Sequence, residues 1–177
     1  MKAILAAGAC ALALLSTAAW GRAAGPTDPQ IAAIVVAANQ ADINAGRLAE
    51  SKGHSKQVRA FGRRMVADHT SVNKLAEALV RKLHVTPEVN STSESLERGG
   101  KENLERLRKL HGMAFDRAYI DHEVTYHEQV IDALDKTLIP SAQNPLLKAL
   151  LVKVRPAFEA HLKMAKQIQA ELDGKRE

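Results

Sequence analysis

Four stretches of this chain, each roughly 24 to 29 residues long, carry apolar residues at alternating spacings of three and four, and no other feature limits the possible folds so strongly. Such a stripe lies along one side of an α-helix and must be covered. Four of them in one chain therefore require helices packed around a shared core.

The first helix is predicted over 29–52, where Thr27, Asp28 and Pro29 supply a cap and a first-turn proline and Gly53 supplies the stop. The second starts near Ser55, runs through Val58, Phe61, Met65, Val72, Leu75, Leu79 and Leu83, and ends before Pro87. The third covers 114–138, and the fourth opens at Asn144 and Pro145 and continues to about Leu172, with Pro156 expected to bend it. Between the second and third helices, residues 85–112 are polar and contain Gly and Ser, which reads as a long crossover with a short helix over 101–110. A connection of that length lets the third helix run parallel to the second. The expected fold class is all-α, a four-helix bundle, ferritin-like, with its long crossover between the second and third helices. An aromatic content of only 3% agrees with aliphatic helix packing and argues against a β-sandwich.

Residues 1–24 have a different character. Lys2 precedes an apolar run over 3–15, and small residues surround Ala19, Gly21 and Ala23, which is the layout of a cleavable secretory signal peptide. The run is shorter than the ~20 residues that span a bilayer. Residues 25–177 are thus expected to form one exported, periplasmic domain with no stable membrane insertion after cleavage. The single cysteine, Cys10, lies inside the apolar run, where it is badly placed for lipidation, and the mature chain has no cysteine. The net charge of +5 comes from bases dispersed among acids, which is a solvated surface and not a nucleic-acid stripe. Lys56, Arg59, Arg63 and Arg64 near the start of the second helix have no aromatic anchor of a membrane-surface helix beside them except Phe61, which belongs to the apolar stripe. The apolar stripes are used up inside one bundle, so a monomer is expected.

The stripes are interrupted at their centres. Asp42 on the first helix, Asp68 and His69 on the second, Glu123 and His127 on the third and His161 on the fourth lie near the midpoints, and helices of similar length place their midpoints in one layer. Asp116 shares the face of Glu123. Buried ionisable groups cost several kcal/mol each unless they pair or bind a metal. The cluster therefore points either to a transition-metal site built from His69, His127, His161, Asp68, Glu123, Asp42 and Asp116, or to a metal-free network of carboxylate–imidazole hydrogen bonds. Imidazole with carboxylate suits Fe, Mn, Zn or Cu. Other motifs are excluded. His122 to His127 (HEVTYH) is one residue too long for the zinc-protease HExxH pattern and sets its histidines about 140° apart. No GxSxG, P-loop or GxGxxG pattern occurs.

The segments FGRRMVADH (61–69), GMAFDRAYIDHEVTYH (112–127) and VRPAFEAHL (154–162) resemble the domain of unknown function 4142 family, and the similarity extends over essentially the whole mature chain. The resemblance rests on Phe61, Met65, Asp68, His69, Phe115, Asp116, Tyr119, His127, Pro156 and His161, with Asp42 standing where relatives often have Glu. It implies an exported protein with a ferritin-like helical bundle and no established activity. Di-iron bundles place Glu three residues before His on two helices, whereas Val66, Val124 and Phe158 occupy those positions here. A mononuclear or histidine-rich site fits better than a ferroxidase centre. Two functional classes follow: a periplasmic bundle that binds a transition metal, and a metal-free envelope or stress-related interaction protein working through its surface, with the 85–112 crossover as its first candidate region. Neither a reaction nor a catalytic residue is indicated.

Overall fold

The computed structural model describes residues 25–174, and the signal-peptide reading of residues 1–24 lies outside them. The described residues are all-α and contain no strand. Five long helices follow one another: α1 (Asp28–Lys52), α2 (Lys56–Leu83), α3 (Ser91–Arg108), α4 (Gly112–Ala133) and α5 (Pro145–Asp173). A π-helical turn, Leu134–Leu138, and a final turn, Ile139–Ser141, extend α4.

Local chemistry sets most of the helix ends. Thr27 and Gln30 form a reciprocal capping box at the start of α1, Ser55 accepts from the Val58 N–H at the start of α2, and Asn144 accepts from Leu146 and Leu147 at the start of α5. α2 stops where His84 enters the left-handed region at φ 52°, three residues before Pro87. The crossover differs from expectation. It is an 18-residue helix, and Asn90 with Ser93 makes a full capping box ten residues before the short helix expected there. Its stripe is thin because Ser93 and Asn103 occupy buried positions beside Leu107, so the apolar rhythm is faint. Pro156 lies within α5 without ending it.

Contacts at the ends give the directions. α1 and α2 form an antiparallel hairpin. α3 returns along α1, starting where Asn90 Nδ2 donates to the Gln30 carbonyl and ending where the Lys52 ammonium meets the Arg108 carbonyl. α4 therefore starts beside the α1–α2 turn and runs parallel to α2. α5 starts beside the α1 N-terminus, where the Asp28 carboxylate accepts from the Gln143 and Asn144 N–H groups at 2.9 Å, and runs parallel to α1. α1 and α2 approach closely at Gly46 and Gly62: a Cβ on Gly62 would lie 2.6 Å from the Gly46 carbonyl oxygen.

The core divides into two apolar layers. One, around Phe61, Met65, Phe115, Tyr119, Ile120 and Ile168, fills the end at the α1–α2 turn. The other, around Ile31, Ile34, Leu138, Leu147, Leu151 and Phe158, fills the opposite end. Burying each large side chain contributes about 1.5–3 kcal/mol. Between the layers sit buried polar groups from four different helices: Asp42, His69, Glu123 with His127, and His161. No helix among the described residues is long and apolar enough to cross a membrane.

Candidate metal centre

Four helix midpoints meet at one level, and three imidazoles converge there. The ring centroids of His69, His127 and His161 are 5.2–5.7 Å apart. Each ring offers one nitrogen within 4.8 Å of a nitrogen on each of the others. Asp42, Glu123 and His127 form a second such group that shares His127. All five residues are buried.

The opposite edge of every ring has an acceptor of its own. His69 Nδ1 is 2.8 Å from Asn39 Oδ1, and Asn39 is oriented in turn because its Nδ2 donates to Asn73 Oδ1 at 2.9 Å. His127 Nδ1 is 2.9 Å from the Glu123 carbonyl oxygen one turn earlier. His161 Nε2 is 2.8 Å from Asp68 Oδ2. Each partner is an acceptor, so each ring donates outward and turns a lone pair inward. The nitrogens left over, His69 Nε2, His127 Nε2 and His161 Nδ1, are buried and make no hydrogen bond.

Charge distribution follows from burial. Burial lowers the pKa of His69 from the usual 6.5 to about 3, reinforced by His161 and opposed by Asp68. Burial lowers that of His127 to about 4 against the opposing pull of Asp42. These two imidazoles are neutral near pH 7. Burial raises the pKa of Glu123 well above the carboxyl range, and the neighbouring Asp42 charge raises it further. Burial raises Asp42 as well, with His127 opposing it. Two neighbouring carboxyl groups in a buried site each disfavour the other's ionisation. Asp42 Oδ2 also reaches the histidines, at 3.2 Å from His69 Nε2 and 3.9 Å from His127 Nε2. The Tyr119 hydroxyl, buried with no hydrogen bond of its own, adjoins Glu123, whose charge with burial holds its pKa well above 10.

Two residues predicted in the ligand set have other places. Asp116 is buried at the end of the bundle, two turns before Glu123, where its oxygens accept from the His54 and Ser55 N–H groups at 2.8 Å. Both of its oxygens are engaged in tying α4 to the α1–α2 turn, so it is outside the cluster. Asp68 follows the seam by one residue too few to turn inward. Its side chain is 40% exposed, bonded to His161 and to Arg64 Nε at 3.3 Å, and it orients the His161 ring from outside the two groups that could hold an ion. His122 stacks on Tyr126 at 5.5 Å and belongs to neither group that could hold an ion. Asn39 and Asn73 were missed: two asparagines among the small residues of a stripe carry no metal signal in a sequence. Asn39 precedes Asp42 by three residues, and that helical neighbourhood was the one available hint.

The lone pairs decide what the arrangement can do. Each buried polar atom left without a partner costs about 1–3 kcal/mol, so three cost several, a large share of an ordinary domain's 5–15 kcal/mol. Histidines buried to stabilise a metal-free network would aim donors at the carboxylates. Here no ring nitrogen hydrogen-bonds to the Asp42 or Glu123 carboxyl group, and the one imidazole–carboxylate hydrogen bond, His161 to Asp68, runs to the half-exposed rim. Deprotonated nitrogens facing one another beside two carboxyl groups form a donor set suited to a divalent transition-metal ion, with each imidazole fixed from behind. A family model described as a domain of unknown function (DUF4142) matches residues 14–168. No curated protein and no solved structure matches the chain.

Proposed function

The chain belongs to the family of the domain of unknown function DUF4142, whose description names no activity, and from its geometry we propose an exported metal-binding protein with a ferritin-like four-helix bundle. α1, α2, α4 and α5 make the bundle and α3 is the crossover; the parallel course of α2 and α4 supports this topology. The ion is held by His69 Nε2, His127 Nε2 and His161 Nδ1, with Asp42 as the fourth donor and Glu123 close enough to join. One observation carries the reading: three buried ring nitrogens converge without a hydrogen bond while the other nitrogen of each ring is committed to an acceptor of its own.

Three imidazoles and one carboxylate give nitrogen-rich coordination that suits Fe, Mn, Zn or Cu. Binding free energies of about 10–16 kcal/mol for structural zinc exceed the several kcal/mol left unpaired in the cluster. Export to the periplasm as a monomer, with nucleic acid excluded as a partner, completes the reading; it rests on the leader-like residues 1–24 and the mixed surface charge.

The test is elemental analysis of untagged protein purified from the periplasm, compared with a His69→Ala, His127→Ala, His161→Ala triple variant. Near-stoichiometric metal in the wild type and its loss in the variant are expected. Wild-type protein that takes up no Fe, Mn, Zn or Cu even after reconstitution would make the layer a structural network and move the function to the surface.

A further inference from the structure

A cavity of about 200 Å³ lies beside the histidine layer, with walls that are almost wholly apolar. Ile34, Val72, Val130, Leu151 and Phe158 form much of its side. Its mouth is marked by the exposed Thr92 on α3 and Gln129 on α4, and its buried end by Asp42 and His69, two of the proposed ligands. Phe158 stacks on the His69 ring at 5.3 Å, so cavity wall and ligand are in direct contact. The π-helical turn contributes Leu134 and Leu138. Such turns are rare, and they are frequent at functional sites.

Size and polarity limit the occupant. A dry apolar cavity of roughly 150 Å³ holds benzene, so this one has room for a ring with a substituent. No Lys or Arg lines it, and the polar groups at its buried end, Asn39, Asp42 and His69, already face one another, so a charged head would be desolvated without a free counter-charge. A neutral hydroxyl can donate to the Asp42 carboxylate or present its oxygen to an ion. We infer that this cavity binds a small uncharged molecule with one aromatic ring or a short hydrocarbon chain and a single hydroxyl head, seated against Asp42 and His69. Its position beside an ion rests on the metal reading above; its filling of the cavity does not.

Phenol is the probe, tested on the full mature chain both metal-free and loaded with Co²⁺. At a hundredfold excess over its dissociation constant it raises Tm by roughly 5–10 °C. Benzene, lacking the hydroxyl, binds about fivefold more weakly, since one hydrogen bond to Asp42 is lost. Ala133→Phe fills the cavity from the end of α4 and abolishes the response. If that variant does not fold, methyl resonances serve: phenol shifts those of Val72 and Val130 and leaves those of Val58 and Ile168 in the far layer unmoved. No stabilisation of the wild type, an equal response in Ala133→Phe, or benzene binding as tight as phenol overturns the inference. Phenol binding lost in Ala133→Phe with no Co²⁺ uptake would sink the metal reading and leave the cavity assignment standing. Co²⁺ uptake without phenol binding would do the reverse.

Discussion

Asn39→Leu tests the central argument because Asn39 touches no ion in the proposed site, yet it determines which nitrogen His69 presents. Its Oδ1 accepts from His69 Nδ1 at 2.8 Å and its Nδ2 donates to Asn73 Oδ1 at 2.9 Å, all of it buried. Leucine leaves two buried polar atoms unpaired, which costs about 2–6 kcal/mol, or a fall in Tm of at least roughly 5 °C. It also frees the imidazole to place its proton on Nε2, the nitrogen the ion needs. Loss of such an outer partner lowers metal affinity about 10–100-fold, equivalent to about 1.4–2.7 kcal/mol. Melting curves and a Zn²⁺ competition titration against a chromophoric chelator read the two effects separately. The double variant Asn39→Leu, Asn73→Leu separates them further: removing both amides restores part of the stability, because no orphaned Asn73 remains, but His69 still lacks its acceptor and affinity stays low. Zn²⁺ affinity within twofold of wild type in Asn39→Leu would refute the claim that outward hydrogen bonds prepare the inward lone pairs.

Three other predictions concern different residues. Asp116→Ala removes the acceptor for the His54 and Ser55 N–H groups and destabilises the fold by about 2–4 kcal/mol in denaturant melts; the metal-induced rise in Tm stays intact, and its loss would return Asp116 to the ligand set. Gly62→Ala forces a Cβ to within 2.6 Å of the Gly46 carbonyl oxygen and costs about 1–3 kcal/mol, so a variant as stable as wild type would mean that α1 and α2 can separate freely. Metal binding releases protons. The lowered pKa values of His69 and His127, about 3 and 4, leave both rings unprotonated near pH 7, whereas burial and the neighbouring Asp42 raise that of Glu123 and so favour its protonated form in the protein without an ion. An ion favours the deprotonated carboxylate, so affinity rises with pH through the range where Glu123 titrates. Calorimetric Zn²⁺ titrations in two buffers of different ionisation enthalpy measure the release. Glu123→Gln abolishes it, and unchanged release in that variant would exclude Glu123 as the source.

Much of the architecture was legible in the linear chain. Helix formation and the choice of an apolar face are local matters of periodicity and capping, so Thr27, Ser55 and Asn144 mark starts that the structure places within a residue. The same periodicity showed the break in the stripe at His69, His127 and His161, because a polar residue on a core face is visible from its neighbours alone. Helix α3 was underestimated since its covering face holds Ser93 and Asn103, whose burial depends on what lies across from them. The roles of Asp68 and Asp116 were open for a similar reason: a phase of one residue turns a side chain by 100°, and two turns move it by about 11 Å along the axis. Which ring nitrogen faces inward was beyond the sequence altogether. Asn39 lies 30 residues from His69, and Asp68 lies 93 from His161. The sequence by itself determined the helices, the polar layer and the residue types in it. Only the tertiary structure decided the orientation of those residues, because an imidazole's donor and acceptor edges are assigned by partners that distant parts of the chain bring to it.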